Sequence, residues 1–302
     1  MKKTLTIILL SVISFLVSAQ KELIMTQYIH NQFAINSAFA GSRETLSAFA
    51  LYRMQWNGIP NAPNTQYLSL HAPLKNDRIA IGANFFNEKI SIVHNTGFSL
   101  AYAHRVRINQ NSRIAISLKT GLLSSKSDWS DLKLTDKDDL AFIENETFIS
   151  PILGMGIAWY GDNFFAGFSI PDLFYSGSFN YQDPSINLAE TNYIITTGYI
   201  YNINPQLSVQ PSTLIRYNTN KTLLLDISAN LLIQNMIWAG MTYRNNKEII
   251  MMAGWQASSQ LRVAYSFDYP MGDLNTLNSG SHELSLQYDF GYKINTVNPR
   301  FF

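Results

Sequence analysis

The residues able to do chemistry are few and poorly arranged for it. Five histidines, His30, His71, His94, His104 and His282, are scattered through 302 residues. None falls in an H-E-x-x-H pattern or another metal-ligand spacing. Cysteine is absent, which closes zinc-thiolate, iron–sulfur and disulfide chemistry. Gly167-Phe168-Ser169-Ile170-Pro171 carries the serine of a nucleophile elbow without its second glycine, and it reads as strand. Between 125 and 149, Asp128, Asp131, Asp136, Asp138 and Asp139 offer a weak calcium site or a paired-carboxylate hydrolase site. Their spacing fails the EF-hand loop, and such acidic loops are mostly solvated. Neither an enzyme, a metal nor a cofactor is expected.

A second set of polar residues has more order. Arg53, Arg78, Arg113, Lys119, Arg216 and Arg262, with Asp226, Asp268, Glu283 and Asp289, fall on the polar side of segments that alternate with apolar residues. In a porin such residues set ion preference. In a filled barrel they pair with one another, and that reading is favoured. Either way, the elements that carry them are strands.

Past residue 44 the apolar residues recur at period 2, not 3.6. Leu284, Leu286, Tyr288 and Phe290 alternate with Glu283, Ser285, Gln287 and Asp289, for example. Fourteen such segments are counted, at 45–56, 65–72, 78–87, 96–106, 112–124, 150–160, 163–170, 192–202, 206–217, 222–233, 236–244, 248–256, 261–269 and 282–292. Most have the length a tilted strand needs to cross a bilayer, about 9–11 residues. Their connections sort by parity. One set is 57–64, 88–95, 125–149, 171–191, 218–221, 245–247 and 270–281, and it holds every long one. The other set is 73–77, 107–111, 161–162, 203–205, 234–235 and 257–260, all short. Outer-membrane barrels have brief periplasmic turns and long extracellular loops, whereas a soluble sandwich has no reason to sort them. The fold expected is all-β: a transmembrane antiparallel up-and-down barrel of about 14 strands.

Composition agrees. Charged residues make up only 14% and aromatics 13%, yet mean hydropathy is −0.04, the average of a greasy face and a polar one. Tyr52, Trp56, Tyr102, Trp159, Tyr199, Tyr201, Trp238, Tyr269 and Tyr288 lie near strand ends, where aromatic girdles belong. With 22 Lys+Arg against 21 Asp+Glu there is no basic field for nucleic acid. No apolar run in the body approaches the length of a membrane helix.

The chain ends complete the division. Lys2 and Lys3, the apolar run Thr4 to Phe15 and Val17-Ser18-Ala19 read as a signal peptide over 1–19, with Gln20 as the mature N-terminus. Residues 20–44 carry Met25, Tyr28, Phe33, Ile35 and Phe39, too many large apolar groups for a bare linker. This segment is expected to lie in the periplasm or plug the lumen of a barrel spanning 45–292. Arg53 is a candidate to hold it, through a guanidinium bond to a backbone carbonyl. Residues 293–302 read as a periplasmic tail.

Several of these residues carry a family resemblance. Met25, Gln27-Tyr28, Asn31, Asn36-Ser37-Ala38-Phe39-Ala40-Gly41-Ser42, then Tyr52-Arg53-Met54-Gln55-Trp56, Gly58, Ala62-Pro63, Thr65, Ser69, His71 and Pro73 resemble the PorP/SprF family of Bacteroidetes type IX secretion membrane proteins. The pattern resumes at Gly280-Ser281-His282-Glu283 and closes at Asn298-Pro299-Arg300-Phe301-Phe302. The chain departs from the family at Ser37 for Pro, Phe39 for Tyr and Ile29 for Met. The resemblance implies an outer-membrane accessory of the type IX secretion and gliding apparatus. Its partners would be other secretion components and a secreted or surface cargo protein such as a large adhesin, with outer-membrane lipid around the barrel. A diffusion channel for small polar solutes is the alternative.

Overall fold

A computed structural model describes residues 25–129, 145–173, 191–219, 222–271 and 278–291. The expected signal peptide, most of the acidic loop, and Pro299, Arg300 and Phe302 of the tail lie outside them. The strands are β1 Ser47–Met54, β2 Asn64–Pro73, β3 Ile79–Ile90, β4 Val93–Asn109, β5 Ser112–Ser127, β6 Glu146–Gly161, β7 Phe164–Ile170, β8 Asn192–Tyr199, β9 Tyr201–Asn204, β10 Leu207–Asn218, β11 Thr222–Ile233, β12 Ile237–Arg244, β13 Glu248–Gln256, β14 Leu261–Pro270 and β15 Ser281–Asp289. β8 and β9 are one pass interrupted at Ile200, since both pair with β10. The result is fourteen antiparallel passes. β15 pairs with β1, Arg53 facing Glu283, and closes the barrel.

Closure is what lets these sequences sit in hydrocarbon, because every ladder donor and acceptor finds a partner within the wall. The pleat then divides each strand. On β5, Ile116 and Leu118 are 55% and 64% exposed, while Ala115 and Ser117 between and beside them are at most 5% exposed. A water-soluble sheet buries its leucines, and this one presents them. Among the described residues no helix is long and apolar enough to cross a membrane.

The connections divide as their parity requires. One end carries the turns 74–78, 110–111, 162–163, 205–206, 234–236 and 257–260. The other carries 55–63, 128–145, 171–191 and 271–280, together with three tight links. One expected loop is corrected. Residues 88–95 are not a loop, because β3 and β4 stay paired to Ile90 and Val93 and turn through Ser91-Ile92, with Ser91 in the left-handed region.

The barrel is filled by its own N-terminal segment. Residues 25–43 are buried apart from the half-buried Ala34, and they form two short 3-10 helices, Gln32–Ala34 and Ser37–Phe39. Small wall residues make room for them. A Cβ at Gly82 would strike the Phe33 ring, and one at Gly156 would strike the Asn36 carboxamide. Gly82→Val should therefore displace the segment, at a cost of about 1–3 kcal/mol for overpacking. Limited chymotrypsin digestion should cut the variant near Phe33 or Phe39 while the barrel keeps its heat-modifiable gel mobility. Wild-type resistance would contradict the packing.

Candidate functional site in the barrel lumen

At the long-loop end, Arg53 is the centre of a buried ion cluster. Its position on β1 puts it opposite Glu283 of β15, and Asp268 lies one strand further on β14. One guanidinium nitrogen donates to Asp268 Oδ2 at 2.6 Å, and the other donates to Glu283 Oε2 at 3.1 Å and to the Thr26 hydroxyl at 3.2 Å. Glu283 then captures the incoming segment. Its carboxylate accepts the amides of Thr26 at 3.0 Å and Gln27 at 2.8 Å, and its carbonyl accepts Gln27 Nε2 at 2.9 Å. Ser285 donates to Gln27 Oε1, while Thr26 meets the Ser266 hydroxyl at 2.8 Å. Arg53 therefore holds the segment through a hydroxyl and a shared carboxylate, not through the backbone carbonyl expected of it. The reason is reach: Glu283 occupies the space directly across the strand pair.

From there the segment descends. Met25 packs on Phe49, Leu51 and Tyr67, and Tyr28 reaches the Ser228 hydroxyl at 3.4 Å. Asn31 donates to Ser69 Oγ at 3.0 Å. Asn36 donates to the carbonyls of Ile157 and Phe168 while its own oxygen caps Ala38 N, and Ser169 donates to Ile35 O at 2.7 Å. Phe39 meets Tyr160 and Phe165, and Ala40 is fully buried.

The short-turn end has a second latch. Gly41 sits at φ +69°, and a Cβ there would collide with Ala80, so this position requires glycine. Its amide donates to His71 Nδ1 at 3.0 Å, and its carbonyl accepts Arg105 Nη1 at 2.5 Å. Ser42 N closes a turn onto Phe39 O at 3.0 Å. Arg43 grips Asp289 at 2.6 Å. Arg105 and Arg113 converge on Glu44 and Asp77, with Arg113 also donating to Asp77 Oδ2 at 3.0 Å.

The remaining charges also have partners. Arg244 makes a bidentate pair with Asp226, 2.7 and 2.9 Å, and reaches Glu248 at 3.2 Å. Arg262 donates to Gln256 Oε1 at 3.0 Å and stacks 5.1 Å over the Trp238 ring. Arg216 is buried and Lys119 half-buried on the inner face. Two residues lie elsewhere than expected. Arg78 is exposed in the 74–78 turn, one residue before β3 begins, where its amide donates to Asn76 Oδ1 at 3.3 Å and its carbonyl accepts Arg105 N at 2.6 Å. Trp238 is no girdle residue but lines the lumen at 1% exposure, beside His30 at 5.0 Å. Among the described residues no group of three or more His, Asp or Glu is placed to hold a metal.

A model of the type IX secretion system membrane proteins PorP/SprF matches residues 17–288. The chain belongs to the PorP/SprF family. Solved structures similar to this PorP/SprF chain include the outer-membrane protein Omp33 of Acinetobacter baumannii, 9% identical over 81% of this chain and 96% of that one, TM-score 0.46. The toluene transporter TbuX of Ralstonia pickettii is 10% identical over 89% and 94%, TM-score 0.49. The porin KdgM is 9% identical over 81% and 99%, TM-score 0.37. No curated protein matches.

The residues that carry the resemblance to the family divide between the two faces of this wall. Arg53 and Glu283 point inward to the latch. His282 points outward, ringed by Phe267 at 5.0 Å and bonded to Tyr265 OH at 2.6 Å. Trp56, Gly58 and Gly280, all at positive φ, shape the rim, where Asn57 N meets Gly280 O at 2.8 Å and Trp56 N meets Ser281 Oγ at 3.1 Å. Gln55 N closes on the carbonyl of the buried Pro63 at 2.9 Å. Composition and parity did not single out Arg43, Arg105 or Arg244, although Arg244 shares the inward parity of Trp238, six residues before it. Arg53→Ala leaves two buried carboxylates without their cation, at a cost of about 3–5 kcal/mol. Hydrogen exchange at Thr26 and Gln27 should rise sharply, less so in Arg53→Lys, and unchanged exchange in both would refute the latch.

Proposed function

We propose that this protein is an outer-membrane accessory of type IX secretion that binds a cargo protein and helps export it or hold it at the cell surface. Membership of the PorP/SprF family carries this reading. The filled lumen supports it, because residues 25–43 occupy the space a solute would need and their anchoring charges are paired. Taking the long connections as extracellular, the rim around 55–63 and 278–280 and the larger loops are surfaces for protein contact. Gliding follows if the cargo is a motility adhesin. The porin-like alternative asks for an open path that the N-terminal segment obstructs.

Deleting the gene and comparing surface and medium proteomes with small-solute uptake separates the two. The accessory reading expects one or a few cargo proteins to leave the cell surface while other type IX substrates and solute uptake are unchanged. Reduced uptake with an intact surface proteome would overturn it in favour of the channel.

A further inference from the structure

The wall is not cut level at its long-loop end. β7 and β8 have 7 and 8 residues, whereas β4, β5 and β6 have 17, 16 and 16. A tilted strand needs only about 9–11 to cross a bilayer. β6 and β7 are joined at the short-turn end through 162–163, so the excess of β6 rises at the other end. β7 pairs with β6 only between Met155 and Tyr160. Past Ile170 its chain crosses over Gly154, where a Cβ would strike the Pro171 carbonyl, and Leu173 N makes one last bond to Leu153 O at 2.7 Å. Among the described residues, no strand pairs with the β7 side of β6 over 146–152.

On an antiparallel strand the backbone groups face alternate neighbours. Leu153 O faces the β7 side, so the amides and carbonyls of Thr147 and Ile149 and the carbonyl of Pro151 face that open side too. Pro151 suits it, because on the other side its missing N–H would cost a bond of the ladder to β5. Exposed edges are ordinarily guarded by charge or proline. Thr147-Phe148-Ile149-Ser150, between Glu146 and Pro151, has neither. Phe148 shares the inward parity of Ser150 and Ile152, which are 3% and 4% exposed, yet it is 49% exposed, and lipid does not account for a side chain on that face. Ile149, on the opposite face, is 51% exposed. Behind this edge the sheet is braced. Along one row of its inner face Thr65 and Asn95 both donate to Glu88 at 3.4 Å and Ser125 donates to Asn95 at 2.8 Å, with Phe148 next in line.

We propose that the upper edge of β6 is a docking site for a partner polypeptide, which adds an extended segment alongside 147–151 as a further strand. Thr147, Ile149 and Pro151 supply the backbone bonds. The occupant is an uncharged, strand-forming stretch whose alternate side chains meet Phe148 on one face and Thr147 and Ile149 on the other. Taken as the surface that receives the accessory's cargo, this rests on the function proposed above.

Benzoylphenylalanine placed singly at Thr147, Phe148 and Ile149 of the full chain, and irradiated in intact cells, reads the edge directly. An added strand should give adducts on one partner segment, those from Thr147 and Ile149 two residues apart and that from Phe148 between them. Ile149→Pro removes an edge amide and spares the ladder to β5, as Pro151 does two residues on. In that background the adducts from Thr147 and Phe148 should be lost while heat-modifiable gel mobility persists. The spacing is read without the proline, so it stands as a test even where Ile149→Pro fails to fold. Adducts within 174–190 of the same chain or on β6 of a second copy overturn the proposal. Adducts without that spacing, adducts that persist in a folded Ile149→Pro, or none at all do the same. Spaced adducts with a surface proteome unchanged by gene deletion would keep the edge and remove the cargo reading. Cargo lost on deletion but retained in Ile149→Pro, with no adducts, would keep the cargo reading and remove the edge.

Discussion

Closing a sheet into a membrane barrel satisfies the backbone but turns half of every strand's side chains toward a space cut off from lipid and largely from water. Polar groups there must find partners, since an unpaired buried charge is far more costly than a paired one. The cluster of Arg53, Glu283, Asp268 and Thr26 meets that constraint at the point where closure occurs. It ties β1 to β14 and β15 and binds the N-terminal segment across a sequence separation of 257 residues. The same four groups brace the seam, which the β1–β15 ladder closes, and seat the plug against it.

The rest of the interior follows from filling the space beneath this cluster. Small residues on the wall, Gly82, Gly156 and Ala80 among them, accept Phe33, Asn36 and the backbone at Gly41. Serines on several strands, Ser69, Ser117, Ser169 and Ser266 among them, supply hydroxyls to polar groups of the segment. Arginines at the lower end bind carbonyls and carboxylates at the reversal. The lumen is thus organised as a protein core of unusual polarity, and the apolar residues that would form a core elsewhere face the bilayer.

Much of this was legible in the residues alone. The period-2 pattern is local, so strand number, the lipid face and the short-turn end could be read from it, and the inward charges Arg53, Asp226, Asp268, Glu283 and Asp289 follow from parity. The five large apolar residues in 25–44 likewise demanded a packing site. What escaped was non-local. Whether residues 88–95 form a loop depends on how far β3 and β4 stay in register, and the direction of the plug depends on contacts with strands some 250 residues later. Trp238 looked like a girdle residue because a strand-end position does not by itself say which face it occupies. Arg78 looked inward because the alternation was extended one residue past the start of β3.

If the plug is a fixed part of the barrel's interior, held by paired charges, the pore is sealed. Planar-bilayer recording of the purified protein tests this most directly. The intact protein should insert without steady conductance, and removing residues 25–43 should open an ohmic pore. Steady ohmic conductance from the intact protein would contradict it.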